Sequence, residues 1–186
     1  MQTATRQTGN ASGIPMGRPR STKSINPTVS RMIAGEWEVP DELFEQLNRE
    51  FKFTLDACAR DYNAKCSKYY TLQNSGLDKS WKGETVWCFP PSGTSAFRVW
   101  VKKASEEAKR KGTTVVMLLP VSTDSDWFQR YINKKDGVRI RFLSGRIKFR
   151  NRALPSWSDA REETTGGKRP SMLVIFDGSK RKFRVE

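Results

Sequence analysis

The sequence predicts an α/β fold of three layers, with helices on both faces of a mostly parallel sheet. Three observations predict it. Residues 113–119 (TTVVMLL) and 171–176 (SMLVIF) are continuously apolar and carry β-branched residues, the pattern of strands covered by helices on both sides. Residues 95–111 place Phe97, Trp100, Val101, Ala104 and Ala108 on one helical face and Lys and Glu on the other. Strand, helix and strand alternate through most of the chain, the order that builds a parallel sheet.

Each element has its own signal. Pro40 and Asp41 open a helix running to about residue 51, with Leu43, Phe44, Leu47 and Phe51 on one face. Residues 53–57 (FTLDA) read as a short buried strand, and 69–72 as a further one. Residues 85–89 (TVWCF) form an apolar run that must stop at Pro90-Pro91. The helix over 95–111 ends against Gly112, placed as a C′ glycine. After the 113–119 strand, which stops at Pro120, come a short helix (124–133), a strand (138–143) and a hairpin-like Gly145-Arg146-Ile147-Lys148-Phe149. A long polar segment with Gly166-Gly167 spans 150–170, and 171–176 is the last core strand. The ordered domain is expected over 34–178. Residues 1–33, rich in Thr, Ser, Gly, Pro and Arg, read as a disordered basic arm, and 179–186 as a basic C-terminal tail. Gly17-Arg18-Pro19-Arg20 resembles a minor-groove arm, but four residues are a weak signal and a featureless tail is the better description.

Charge is distributed unevenly. Of the +14 total, residues 1–31 carry five basic side chains and no acid. Residues 32–129 hold thirteen basic and fourteen acidic side chains, and 130–186 hold sixteen and six. A neutral middle between two cationic ends suits a reaction core held against a polyanion, because each neutralised phosphate releases counterions. No long apolar run or basic amphipathic helix points to a membrane, and the N-terminus lacks a secretory h-region. Histidine is absent, which removes histidine general-base chemistry and most zinc sites. Cys58, Cys66 and Cys88 follow no repeated C-x-x-C pattern, so reduced thiols in a cytoplasmic protein are expected, with no metal.

Ligands of open α/β sheets bind beyond the carboxyl ends of strands. Three such ends stand out: Asp56-Ala57-Cys58-Ala59, Phe89-Pro90-Pro91-Ser92, and Pro120 to Asp124. Taken singly, a Pro-Pro after a strand is more often a rigid turn, and a closing Asp is often a helix cap.

Their order and spacing say more. Trp37-x-x-Pro40, Phe53 to Ala59, Lys65 with Tyr69-Tyr70-Thr71, Gly76-Leu77 with Trp81, Val86 to Ser92, Val115 to Pro120 with Asp124-x-Asp126-Trp127-Phe128, Gly145 to Phe149 and Leu173 to Phe176 together resemble the small Dam-like, phage-type DNA adenine-N6 methyltransferases over roughly residues 36–177. The resemblance implies a Rossmann-like methyltransferase fold, S-adenosylmethionine as cofactor, double-stranded DNA as partner and a place in the host cytoplasm. It implies that Asp56, Ala57, Cys58 and Ala59 form the cofactor turn, small side chains admitting the backbone and Asp56 attracting the cationic amino end. Asp78 is implied as a contact to the adenosine, or else is an exposed loop acid. The catalytic tetrapeptide is Phe89, Pro90, Pro91 and Ser92, where the family reads Asn or Asp, Pro, Pro, Tyr. The first residue and the following carbonyl accept from the exocyclic amine and the last stacks on the flipped base. Phe89 has no acceptor and Ser92 no π-face. Phe89 or Phe97 for stacking, and Asp124 or Asp126 as acceptor, are the substitutes at hand. Three readings follow: an active adenine methyltransferase, a catalytically impaired relative acting as a DNA-binding accessory protein, and a basic nucleic-acid-binding protein sharing only the fold.

Overall fold

The computed structural model describes residues 37–71, 73–151 and 169–178. The basic arm, its Gly17 to Arg20 stretch, nearly all of the polar segment 150–170 and the tail 179–186 lie outside them.

In chain order the described elements are β1 (Trp37–Glu38), α1 (Asp41–Phe51), β2 (Leu55–Asp56), a 3₁₀ turn (Gly76–Asp78), β3 (Thr85–Cys88), α2 (Thr94–Glu107), β4 (Thr114–Pro120), α3 (Asp126–Tyr131), β5 (Val138–Phe142), β6 (Arg150–Asn151) and β7 (Ser171–Asp177). Among the described residues the main sheet has five strands in the order β2-β3-β4-β7-β5. β2, β3 and β4 are parallel neighbours, and β7 is antiparallel to both β4 and β5. Four of the five strands therefore point the same way, which is the mostly parallel α/β sheet expected.

Side-chain alternation along the strands makes the three layers. Val115, Met117 and Leu119 of β4 and Met172, Val174 and Phe176 of β7 join Trp100, Val101 and Ala104 of α2 and Trp127 and Phe128 of α3 in one apolar cluster. The intervening Val116, Leu118, Leu173 and Ile175 meet Phe44 and Leu47 of α1 on the other face. Trp87 of β3 completes that second cluster, edge-on to Phe44 at 5.6 Å between ring centres. Burying side chains of this size contributes roughly 1.5–3 kcal/mol each.

Several expectations change. The strand over 69–72 reduces to a single bridge between Tyr69 and Asp56, because residues 68 and 70 spend their hydrogen bonds on the two sides of Asp56. α2 stops at Glu107, not at 111. Ala108 closes it and the chain turns back, with Arg110 N–H on the Glu107 carbonyl at 2.9 Å. Gly112, at φ +76°, serves the turn into β4 rather than the helix cap. Among the described residues no pair of hairpin strands is seen over 145–149. The chain instead continues into β6, which pairs antiparallel with β1, Trp37 opposite Asn151 and Glu38 opposite Arg150. Among the described residues, no helix is long and apolar enough to cross a membrane.

Candidate active site

The Asp56 to Ala59 turn leaves β2 between two partners. Ala57 N–H reaches the Trp87 carbonyl of β3 at 2.9 Å, and Ala59 N–H reaches the Tyr70 carbonyl at 2.9 Å. Asp56 is 3% exposed. Its carboxylate accepts from the backbone N–H of Cys58 at 3.2 Å and of Lys65 at 3.1 Å, so it draws a nine-residue loop into a closed cradle. Burial pushes the Asp56 carboxyl up from 3.8 to about 6, against the pull of the Lys65 and Cys58 amides and the Lys65 charge. The ammonium of Lys65 pairs with Asp41 at the start of α1, tying the cradle to the helix on that face.

The Phe89 to Ser92 turn leaves β3 alongside. Pro90 is buried, Phe89 and Pro91 are half-buried and Ser92 is exposed. Gly93, at φ +135°, carries the chain from this turn into α2 through a conformation that side chains disfavour. The two turns form opposite walls of one cleft enclosing about 70 Å³, lined by Ala57, Cys58 and Ala59 on one side and Phe89 to Ser92 on the other, with Trp37 and Trp100. A smaller hollow of about 20 Å³ adjoins it through the shared Trp37, Cys58, Asn63 and Phe89, and it is there that Asp56 and the buried Glu38 are found. The ring of Phe89 lies nearly parallel to that of Phe149, 5.4 Å between centres and 8° between planes.

The structure thus brings together eight of the nine residues singled out in the sequence and leaves one outside. Asp78 is exposed on the 3₁₀ turn and lines neither hollow, whereas its neighbour Ser75 lines the cleft. Of the substitutes for the tetrapeptide, Phe89 lines the cleft, whereas Phe97, Asp124 and Asp126 line neither hollow. Phe97 packs on Trp127 at 5.8 Å, Asp126 pairs with Arg130 and Arg98, and Asp124 accepts from the Ser122 hydroxyl at 3.3 Å. Sequence reasoning gave no role to Arg60, Asn63, Thr71, Ser75 or Trp100, which all line the cleft. Asn63 had a usable signal, an Asx-type acceptor three residues after Arg60, whose N–H it takes at 2.8 Å. Cys58, Cys66 and Cys88 are free, and burial pushes the thiols of Cys58 and Cys66 up to about 12. They are inert thiols, not nucleophiles.

Gly76 holds the second loop against the first. A Cβ there would lie 2.3 Å from the Ala57 carbonyl oxygen, and the Gly76 carbonyl accepts from the indole N–H of the fully buried Trp81 at 2.9 Å. Trp81 N–H in turn donates to Glu107 of α2 at 2.9 Å. Gly76→Ala must displace backbone rather than a flexible side chain. It is expected to cost about 1–3 kcal/mol, a fall in Tm of about 3–8 °C that thermal unfolding will read.

Comparison with known proteins shows the family. The family model described as DNA N-6-adenine-methyltransferase (Dam) matches residues 28–185. The chain is 32% identical over 144 residues to a DNA N-6-adenine-methyltransferase of Haemophilus phage HP1 (strain HP1c1), covering 76% of this chain and 78% of that protein. It is 34% identical over 94 residues to a DNA N-6-adenine-methyltransferase of Escherichia phage T1, covering 50% of this chain but 38% of that longer relative.

Proposed function

Since the chain belongs to the DNA N-6-adenine-methyltransferase family, we propose that its cleft between the β2 and β3 turns holds S-adenosylmethionine beside an adenine drawn from duplex DNA. The protein is an adenine-specific DNA methyltransferase. The observation that carries the placement is the meeting of Ala57, Cys58 and Ala59 with Phe89 to Ser92 across one cleft at the carboxyl edge of the sheet.

The residues present fit such a cofactor in kind. A buried carboxylate, small side chains that leave backbone accessible, and two indoles at the walls suit an amino acid joined to a nucleoside. The enclosed space is smaller than such a molecule, which would therefore extend into the open mouth. When bound, S-adenosylmethionine supplies a methyl group on a sulfonium, a donor reactive enough to need no covalent nucleophile on the protein. Asp56 then faces the cationic amino end, and the backbone of 57–59 forms the floor. The Pro90 carbonyl is the acceptor this chain retains for the adenine amine, and the Phe89 ring offers the π-face that Ser92 lacks. Among the described residues no cluster of acids or thiols suited to a metal occurs.

The test is incubation with labelled S-adenosylmethionine and unmethylated duplex DNA, followed by nucleoside analysis. Label in N6-methyladenine is expected. Label in cytosine alone, or none in the presence of demonstrated cofactor binding, would overturn the reading.

Asp56 adds a pH signature. Its carboxyl is charged only above about pH 6, and an α-amino group loses its charge above ~8. Cofactor affinity is therefore expected to rise as pH climbs through about 6 and to fall again at the alkaline end. Calorimetric Kd values across this range will show whether Asp56→Asn flattens the acid limb, as it must if the ion pair forms.

A further inference from the structure

We propose that the exposed cations of segment 138–150, which runs from the outermost strand of the sheet to Phe149 against the cleft wall, grip the phosphodiester backbone of duplex DNA, with Phe142 meeting the duplex at the far end of that strip. The inference rests on the methyltransferase reading of the cleft.

The topology puts this segment in the right place. β5 runs in the same sense as β2, β3 and β4, because both β4 and β5 are antiparallel to the intervening β7. The chain leaving β5 at Phe142 therefore emerges at the edge where Ala57 and Phe89 leave their strands. β5 is also the outermost strand, so its far side is not covered by another strand of the sheet. At the end of the segment, Phe149 stacks on Phe89, a wall of the cleft. The strip thus runs continuously from the sheet edge to the reaction site.

Its chemistry suits a polyanion. Between positions 138 and 150 the chain carries five cations and no acid. The half-buried Ile140, Leu143, Ile147 and Phe149 anchor it to the two apolar clusters, while Arg139, Arg141, Arg146, Lys148 and Arg150 are exposed. Arg141 is held against Glu50 by paired contacts of 2.7 and 2.5 Å, and Arg150 reaches Asp41 and Glu42 at 3.6 and 3.4 Å. These pairs fix Arg141 and Arg150 against α1. Phe142 stands out: at 63% it is the most exposed large hydrophobic side chain among the described residues. Alternation along β5 turns Phe142 to the side of Val138 and Ile140, away from Arg141, which lies over Phe51. An exposed apolar ring gains little in water and much against nucleic acid, where rings wedge between or stack on bases. An acidic protein would satisfy the cations equally, but it gives no reason for the strip to end at a cleft that takes a base.

Anisotropy of a fluorescent duplex with the full chain, titrated with salt and without cofactor, tests this. Arg146→Gln with Lys148→Gln is expected to make the log–log salt slope shallower by about two units. Phe142→Ala should leave the slope unchanged and weaken binding about tenfold. A control removes the same charge at the opposite edge, Lys109→Gln with Lys135→Gln, which flank a separate cavity of about 250 Å³; it should retain the wild-type slope. Equal losses from the two double variants, or no loss from either, overturn the proposal. Cofactor binding measured on every variant verifies the fold. A wild type that binds cofactor yet shows no salt-dependent affinity for duplex would instead sink the DNA-modifying reading itself.

Discussion

Replacing Phe89 with Asn and Ser92 with Tyr together is expected to raise adenine methylation about a hundredfold. The amine of adenine must be oriented by acceptors beside the methyl donor, and a single well-placed acceptor is worth roughly 2–3 kcal/mol at the transition state, about two powers of ten in rate. At position 89 this chain offers a hydrocarbon ring held flat against Phe149, so under the proposed reading the Pro90 carbonyl is the acceptor left to orient the amine. Ser92 is exposed at the cleft rim, where a tyrosine ring has room and can take over stacking once Phe89 is gone. Loss of the Phe89–Phe149 contact costs about 1 kcal/mol, a small fall in Tm beside the gain in turnover. The two positions border the same space, so their effects will not add, and Phe89→Asn alone should give less than its share. Single-turnover methylation at saturating cofactor is the measurement. A slower double variant would mean that the site has been rebuilt around Phe89. An unchanged rate in a folded, cofactor-binding variant would place the deficiency elsewhere.

Asp56→Ala is expected to abolish cofactor binding, by more than a hundredfold in Kd, while changing stability little. The carboxylate terminates two backbone amides, those of Cys58 and Lys65. Without it the Cys58 and Lys65 N–H groups lose their acceptor, at about 1–3 kcal/mol each, and the cradle opens. Opposing this, the variant no longer buries a charge. A carboxyl raised from 3.8 to about 6 corresponds to roughly 3 kcal/mol of penalty on the ionised form at neutral pH. The two contributions oppose one another in the unfolding equilibrium, the raised carboxyl being already net of the two amide bonds, and they do not oppose one another in ligand binding. The sign with pH follows from the same shift. The native state holds the Asp56 proton more tightly than the unfolded chain does. Asp56 therefore favours the fold fully below about pH 4, and that contribution is lost as pH rises through about 6. Denaturant unfolding across pH 4–7 should show this slope in the wild type and not in Asp56→Ala. Retained cofactor binding in a variant with an intact fold would remove Asp56 from the site.

Much of this was legible in the residues. α1 and α2 declare themselves by apolar spacing, and β4 and β7 by unbroken apolar runs, because an element buried on one or both faces must repeat its side chains with the period of its backbone. The two cleft turns were legible because each follows a strand end at which ligands of such sheets gather. β1 and β6 were not, since two-residue strands joined across more than a hundred positions carry no periodicity. α2 was read too long because Lys109, Arg110 and Lys111 are good helix formers. The turn there is imposed by Glu107, whose carboxylate is claimed by Trp81, Lys103 and Arg110.

The sequence by itself determined the layers, the core, the cationic ends and the two loops that had to meet. The tertiary structure alone decided which side chains those loops present. Asp78 and Ser75 are three residues apart and both polar, yet the close approach of Gly76 to Ala57 puts Ser75 in the cleft and leaves Asp78 in water. Phe97 and Phe89 are both aromatic, but helix packing consumes the first against Trp127, and the course of 142–150 brings Phe149 to the second. Periodicity records which face of an element is buried. Which polar or aromatic group ends at a site depends on contacts between segments far apart in the chain, and those exist only once the layers have closed.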